Sequence, residues 1–161
     1  MNFITSRASK TIWVLIRFRD IGASPDQLKT VYISRIRSIL EFAAPVFSSS
    51  LTKQQSQQIE LIQKKAFAVI LGERYVSYES ALEQLNLERL DSRRIELCYR
   101  FALKCTKSSK HQWMLPPNPF VRNSSRTPKP YHEFFCRTSR YYNSAIPFMA
   151  RLLNERHSTQ Q

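Results

Sequence analysis

Apolar residues recur along the first two thirds of the chain at steps of three and four, the period of a helix with one buried face. Residues 5–19 place Ala8, Ile12, Leu15, Ile16 and Phe18 on such a stripe, with Trp13 and Val14 between them, and Gly22 is placed to close this helix in a left-handed cap. Ser24-Pro25-Asp26-Gln27 then combines a capping box with proline at the first helical position. The second helix carries Leu28, Val31, Tyr32, Ile36, Ile39, Leu40 and Ala43 at helical spacing, and Pro45 is expected to stop it. After the Ser48-Ser49-Ser50 loop, Thr52-Lys53-Gln54-Gln55 repeats the capping box, and Ile59, Ile62, Ala66, Val69 and Ile70 form the inner face of a third helix ending at Gly72. Ser77 caps a short fourth helix from Tyr78 to Leu85. A fifth is expected over residues 92–106, packing Ile95, Cys98, Phe101, Ala102 and Cys105.

The pattern changes after Lys107. Six of the eight prolines lie beyond it, among many serine, arginine and asparagine residues, and only residues 147–154 read as a further short helix. Two glycines in 161 residues are few for the tight turns of a β-rich fold. The expected fold is therefore all-α. About five helices form an irregular bundle over residues 1–106, and residues 107–161 follow as a basic, proline-rich C-terminal arm.

Charge adds a partner class. The formal net charge is +13. Residues 107–161 carry nine basic and two acidic residues, whereas residues 51–106 are nearly balanced, with nine and seven. Such an excess opposes a compact monomer unless a polyanion neutralises it, and phosphate backbones are the commonest polyanion, ahead of anionic membrane surfaces. No segment approaches the ~18 apolar residues of a membrane span. The apolar run from Ile12 to Ile16 is too short for a secretory signal and is bounded by Arg17 and Arg19. An odd count of three cysteines without paired spacing fits a reducing intracellular compartment, nucleus or cytoplasm.

Candidate chemistry is sparse. Asp20, Asp26 and Asp91 are isolated and fall near helix ends, where the macrodipole is reason enough for Asp26 and Asp91. Two-metal nucleotidyl transfer needs clustered carboxylates, and no paired-aspartate turn is present. Cys98 and Cys105 share the apolar face of one helix and read as small buried hydrophobes. His132 and Cys136 are four apart but lack the further ligands of a zinc site. Neither glycine belongs to a phosphate-binding loop, so no cofactor is expected.

One stretch carries a resemblance. The run Tyr32-Ile33-Ser34-Arg35-Ile36-Arg37-Ser38-Ile39-Leu40-Glu41-Phe42-Ala43-Ala44-Pro45-Val46-Phe47 resembles the segment beyond the catalytic palm in LINE-type, jockey-like non-LTR retrotransposon reverse transcriptases. Agreement continues in order through Ile59-Glu60-Leu61-Ile62-Gln63-Lys64-Lys65-Ala66, Val69-Ile70-Leu71-Gly72, Ser77-Tyr78-Glu79-Ser80-Ala81-Leu82 and Leu90-Asp91-Ser92-Arg93-Arg94. It closes with Arg140-Tyr141-Tyr142-Asn143-Ser144-Ala145-Ile146-Pro147 and Leu152-Leu153-Asn154, so nearly the whole chain is covered. Phe42 and Phe47 depart from it, standing where that family usually has tyrosine and tryptophan. The resemblance implies a helical thumb and post-palm extension that holds primer–template, with the catalytic palm and endonuclease lying upstream.

Nucleic-acid contact is the function with positive support in the residues themselves. Lys10 and Arg17 share a face of the first helix, and Arg35 lies on the polar side of the second. Arg93, Arg100, Lys104 and Lys107 make a basic stripe on the fifth, which also reads as a solvated face with Glu96 pairing to Arg100. In the tail, Arg122, Arg126, Lys129, Arg137 and Arg140 interleave with Tyr131, Phe134, Phe135, Tyr141 and Tyr142. That pattern suits single strands, although the same aromatics could instead dock the arm on the helical body. The expected role is non-catalytic: gripping RNA or an RNA–DNA duplex by its backbone, with an upstream palm domain as a further partner. Two other readings fit the same residues, a helical protein-interaction module and a decayed retroelement fragment without present function.

Overall fold

A computed structural model describes residues 2–119 and 129–159. Among them the regular structure is helical, with one isolated antiparallel bridge, Pro117 to Tyr131. The chain divides into two compact units. The first comprises Met1–Phe42 and Leu51–Arg93, the second Ala43–Ser50 and Arg94–Gln161. This is not the division expected at residue 107.

In the first unit α1 (Asn2–Asp20) ends as expected. Gly22 takes φ +88°, its amide reaches the Arg19 carbonyl at 2.9 Å and the Ala23 amide reaches that of Phe18 at 3.0 Å. The Ser24–Gln27 capping box opens α2 (Pro25–Val31) with both reciprocal bonds made. The expected second helix is continuous to Glu41 but not uniform: a π-helical stretch, Tyr32–Arg37, joins α2 to α3 (Ser38–Glu41). Two causes are visible. The hydroxyls of Thr30, Ser34 and Ser38 donate to the carbonyls of Asp26, Thr30 and Ser34, competing with the regular ladder. The buried positions Leu28, Tyr32, Ile36 and Leu40 are also spaced by a strict four. A four-residue step overshoots by ~40° in an α-helix, and the wider π turn rotates them back onto one face. The helix stops at Ala43, which takes φ +55° without being glycine.

The Thr52 capping box, again complete, opens α5 (Lys53–Leu71), and Gly72 at φ +56° ends it. Ser77 caps α6 (Tyr78–Leu85), which Asn86 terminates in the left-handed region. Against α5 pack α1, α2 and α6. At the centre Phe67 lies edge-on to Tyr32, with ring centroids 5.4 Å apart, and 5.9 Å from Tyr78. Helix α7 (Leu90–Lys107) begins in this unit and continues in the second.

The second unit holds α4 (Ala44–Phe47), the rest of α7, the short α8 (Ser139–Tyr142) and α9 (Ala145–Thr159), the last much longer than the expected 147–154. Its core joins Ala102 and Cys105 of α7 to Met149, Ala150 and Leu153 of α9, with Leu115 between. Tyr131 and Phe134 pack against that core. The tail is thus partly built into a folded unit rather than standing as a separate arm. Asn154 fixes it: its Oδ1 accepts the Tyr131 amide and its Nδ2 donates to the Tyr131 carbonyl, each at 3.0 Å.

Three packing expectations fail. Phe18, Ile95 and Phe101 are exposed, because α1 and α7 bury narrower stripes than their apolar content. Phe42, at a position the resemblance gives a tyrosine, is likewise exposed.

Candidate nucleic-acid interface

The expected contact residues separate into free cations and consumed ones. On α1, Lys10 and Arg17 are both exposed, and the Arg17 guanidinium lies 5.3 Å from the centroid of the Trp13 ring. Arg7, one turn before Lys10, joins them on this surface. The spacing of three and then seven signals that arrangement in the sequence, but it was obscured by the apolar residues between. Arg35 is exposed on the π stretch.

Arg93 is consumed. Its Nε and Nη2 both bond the carboxylate of Glu41, and its Nη1 lies 4.0 Å from Glu88. The bond to Glu41 holds the guanidinium more firmly protonated than usual. A half-buried, bidentate arginine of this kind joins helix to helix and is poorly placed to meet a phosphate.

In the second unit Arg100 bonds Glu96 at 2.9 Å, and Arg156 bonds the other oxygen of the same carboxylate at 2.8 Å. Those bonds, Arg100 first, favour the ionised carboxylate and hold the pKa of Glu96 below its ordinary value. Lys104 is exposed, and none of the described residues forms an ion pair with it. Lys129 pairs with Glu133 at 2.8 Å. Arg137 and Arg140 are exposed beside Phe135, Tyr141 and Tyr142, and the Arg151 guanidinium stacks 3.6 Å from the Tyr142 ring centroid. Arg122 and Arg126 lie outside the described residues. The tail aromatics therefore do both things: Tyr131 and Phe134 dock, while Phe135, Tyr141 and Tyr142 face solvent.

The three aspartates and Glu60 have structural employment. Asp20 bonds Arg19, Asp26 occupies the first turn of α2, and Asp91 bonds Arg89 in the first turn of α7. Glu60 is buried between helices. Among the described residues no three histidine, cysteine or carboxylate side chains gather as metal ligands. No described helix is long and apolar enough to cross a membrane. No family model, curated protein or solved structure matches the chain.

Proposed function

We propose that the chain is a non-catalytic, nucleic-acid-contacting element of a LINE-type reverse transcriptase, gripping an RNA–DNA duplex or RNA by its phosphate backbone. One observation carries the proposal. Exposed cations without acidic partners among the described residues, Arg7, Lys10, Arg17 and Arg35 in the first unit and Lys104, Arg137 and Arg140 in the second, coexist with aspartates that are bonded to arginine or placed at a helix start. A surplus arranged in this way is available to phosphates and carries no base specificity.

The test is a salt titration of affinity for an RNA–DNA duplex. If about four phosphates are neutralised, log affinity falls against log salt with a slope of roughly −3 to −4. Affinity for both the duplex and single-stranded RNA that is flat with salt, or absent at ~50 mM, rejects the proposal. A helical protein-interaction module is the second reading. It is favoured by large apolar side chains left in solvent, Ile21 and Val76 in the first unit and Trp113 and Phe135 in the second.

A further inference from the structure

The outer face of α1 carries aromatic and cationic side chains together. The helix turns about 100° per residue, so Ala8, Ile12 and Leu15 point one way, and Ala8 and Leu15 are fully buried. Directly opposite, Phe3, Ser6, Lys10, Trp13 and Arg17 fall within an arc of roughly 80°, with Arg7 about 40° beyond it. Trp13 is 60% exposed and Phe3 75% exposed. The acid of this helix, Asp20, is bonded to Arg19, and none of the described residues forms an ion pair with Arg7, Lys10 or Arg17. Toward α5 the stripe borders an open groove of about 330 Å³ whose walls include Thr5, Ser9, Gln58 and Lys65 and contain no carboxylate.

An indole and a phenyl ring in water on the side of a helix away from its core offer flat apolar faces on which a partner can stack. A membrane-surface helix segregates its cations from its aromatics, one group on each face. Here they share one face, and the other face is the core of the unit. A nucleic-acid strand supplies both complements at once, phosphates for the cations and base faces for the rings.

We propose that the outer face of α1 binds single-stranded nucleic acid, with a base stacked on Trp13 and phosphates held by Arg7, Lys10 and Arg17. This rests on the nucleic-acid reading above and names the strand form and the stacking platform. The Arg17 guanidinium already lies against the indole, 5.3 Å from its centroid, and the exposure of Trp13 leaves ring surface for a base. From Phe3 to Arg17 the stripe runs about 21 Å, room for roughly six stacked nucleotides at ~3.4 Å each.

The other tryptophan is Trp113, so a Trp113→Phe variant of the full chain reports Trp13 fluorescence alone. It is titrated with a ten-nucleotide oligouridine, an abasic ten-mer, a ten-pair RNA–DNA duplex, and vesicles of phosphatidylcholine with phosphatidylserine. Oligouridine is expected to quench the indole, and the abasic strand to bind roughly tenfold more weakly without quenching. Trp13→Ala, at an exposed site that spares the fold, is expected to weaken oligouridine roughly tenfold and leave the duplex affinity unchanged, while Trp13→Phe keeps most of the binding. Lys10→Gln with Arg17→Gln lowers the salt slope for oligouridine by about one to two. Duplex binding that survives while Trp13→Ala leaves oligouridine unchanged, or quenching by vesicles alone, overturns the inference but not the broader proposal. Salt-dependent binding of neither nucleic acid overturns both.

Discussion

The hydroxyl of Tyr78 on α6 donates to the carboxylate of Glu60, a buried acid on α5. The other oxygen of Glu60 accepts the Asp91 amide at 2.7 Å, at the start of α7. One acid thus ties three helices and caps one of them, which is a structural role rather than a catalytic one. Glu60→Ala leaves a buried phenol and an amide unpaired and is expected to cost about 2–4 kcal/mol. Glu60→Gln, which keeps the shape and one acceptor, costs less. Urea denaturation of both variants measures the difference, and equal stabilities contradict the arrangement.

Alkaline pH is expected to unfold the first unit through its tyrosines. Burial pushes the Tyr78 phenol well above its ordinary range, and the bond to Glu60 pushes it further; burial does the same to Tyr32. Unfolded, both ionise near pH 10. Below that pH the two states hold the same protons. Above it only the unfolded chain releases them, so stability present below about pH 10 is lost as pH rises. Tyr32→Phe with Tyr78→Phe is expected to flatten the decline in unfolding free energy between about pH 10 and 11.5.

Arg93→Gln is expected to separate stability from binding. The bidentate bond to half-buried Glu41 goes, costing about 1–2 kcal/mol. Affinity for an RNA–DNA duplex is expected to stay within twofold of the parent, because this guanidinium is already spent on Glu41. A loss comparable to that of Lys10→Gln with Arg17→Gln contradicts the assignment.

Asn154→Ala is expected to release the segment around Tyr131. Three side-chain bonds go, two to the Tyr131 backbone and one to Glu133 at 3.3 Å, for a cost of about 2–3 kcal/mol. Amide exchange accelerating in residues 129–135 and not in α1 or α5 is the signature.

The three thiols are expected to react unequally. Burial raises the Cys98 and Cys105 thiols above their usual range, whereas Cys136 is partly exposed. A disulfide reagent at pH 8 labels one thiol quickly, and Cys136→Ser removes that phase; the other two follow global unfolding.

Local signals carried a large part of this structure. The Ser24 and Thr52 capping boxes, the glycine at residue 22 and the Ser77 cap depend on atoms within a turn of one another, so the end of α1 and the starts of α2, α5 and α6 were legible in the chain. Leu28, Tyr32, Ile36 and Leu40 were legible as core from their spacing, as were Cys98 and Cys105. Tertiary structure decided what spacing cannot encode. Whether Trp13 and Phe101 are covered depends on how wide a stripe the neighbouring helices bury, and Glu60 and Gln63 are buried because α6, the start of α7 and the Glu88 carbonyl supply their partners. The tail was legible as basic and proline-rich, but its anchoring by Asn154 joins residues more than twenty positions apart. The candidate interface divides in the same way. Net charge and its surplus are properties of the chain alone, whereas the fate of each cation was set by the fold, which brings Glu41 to Arg93 across fifty-two positions and leaves the outer face of α1 without an acid.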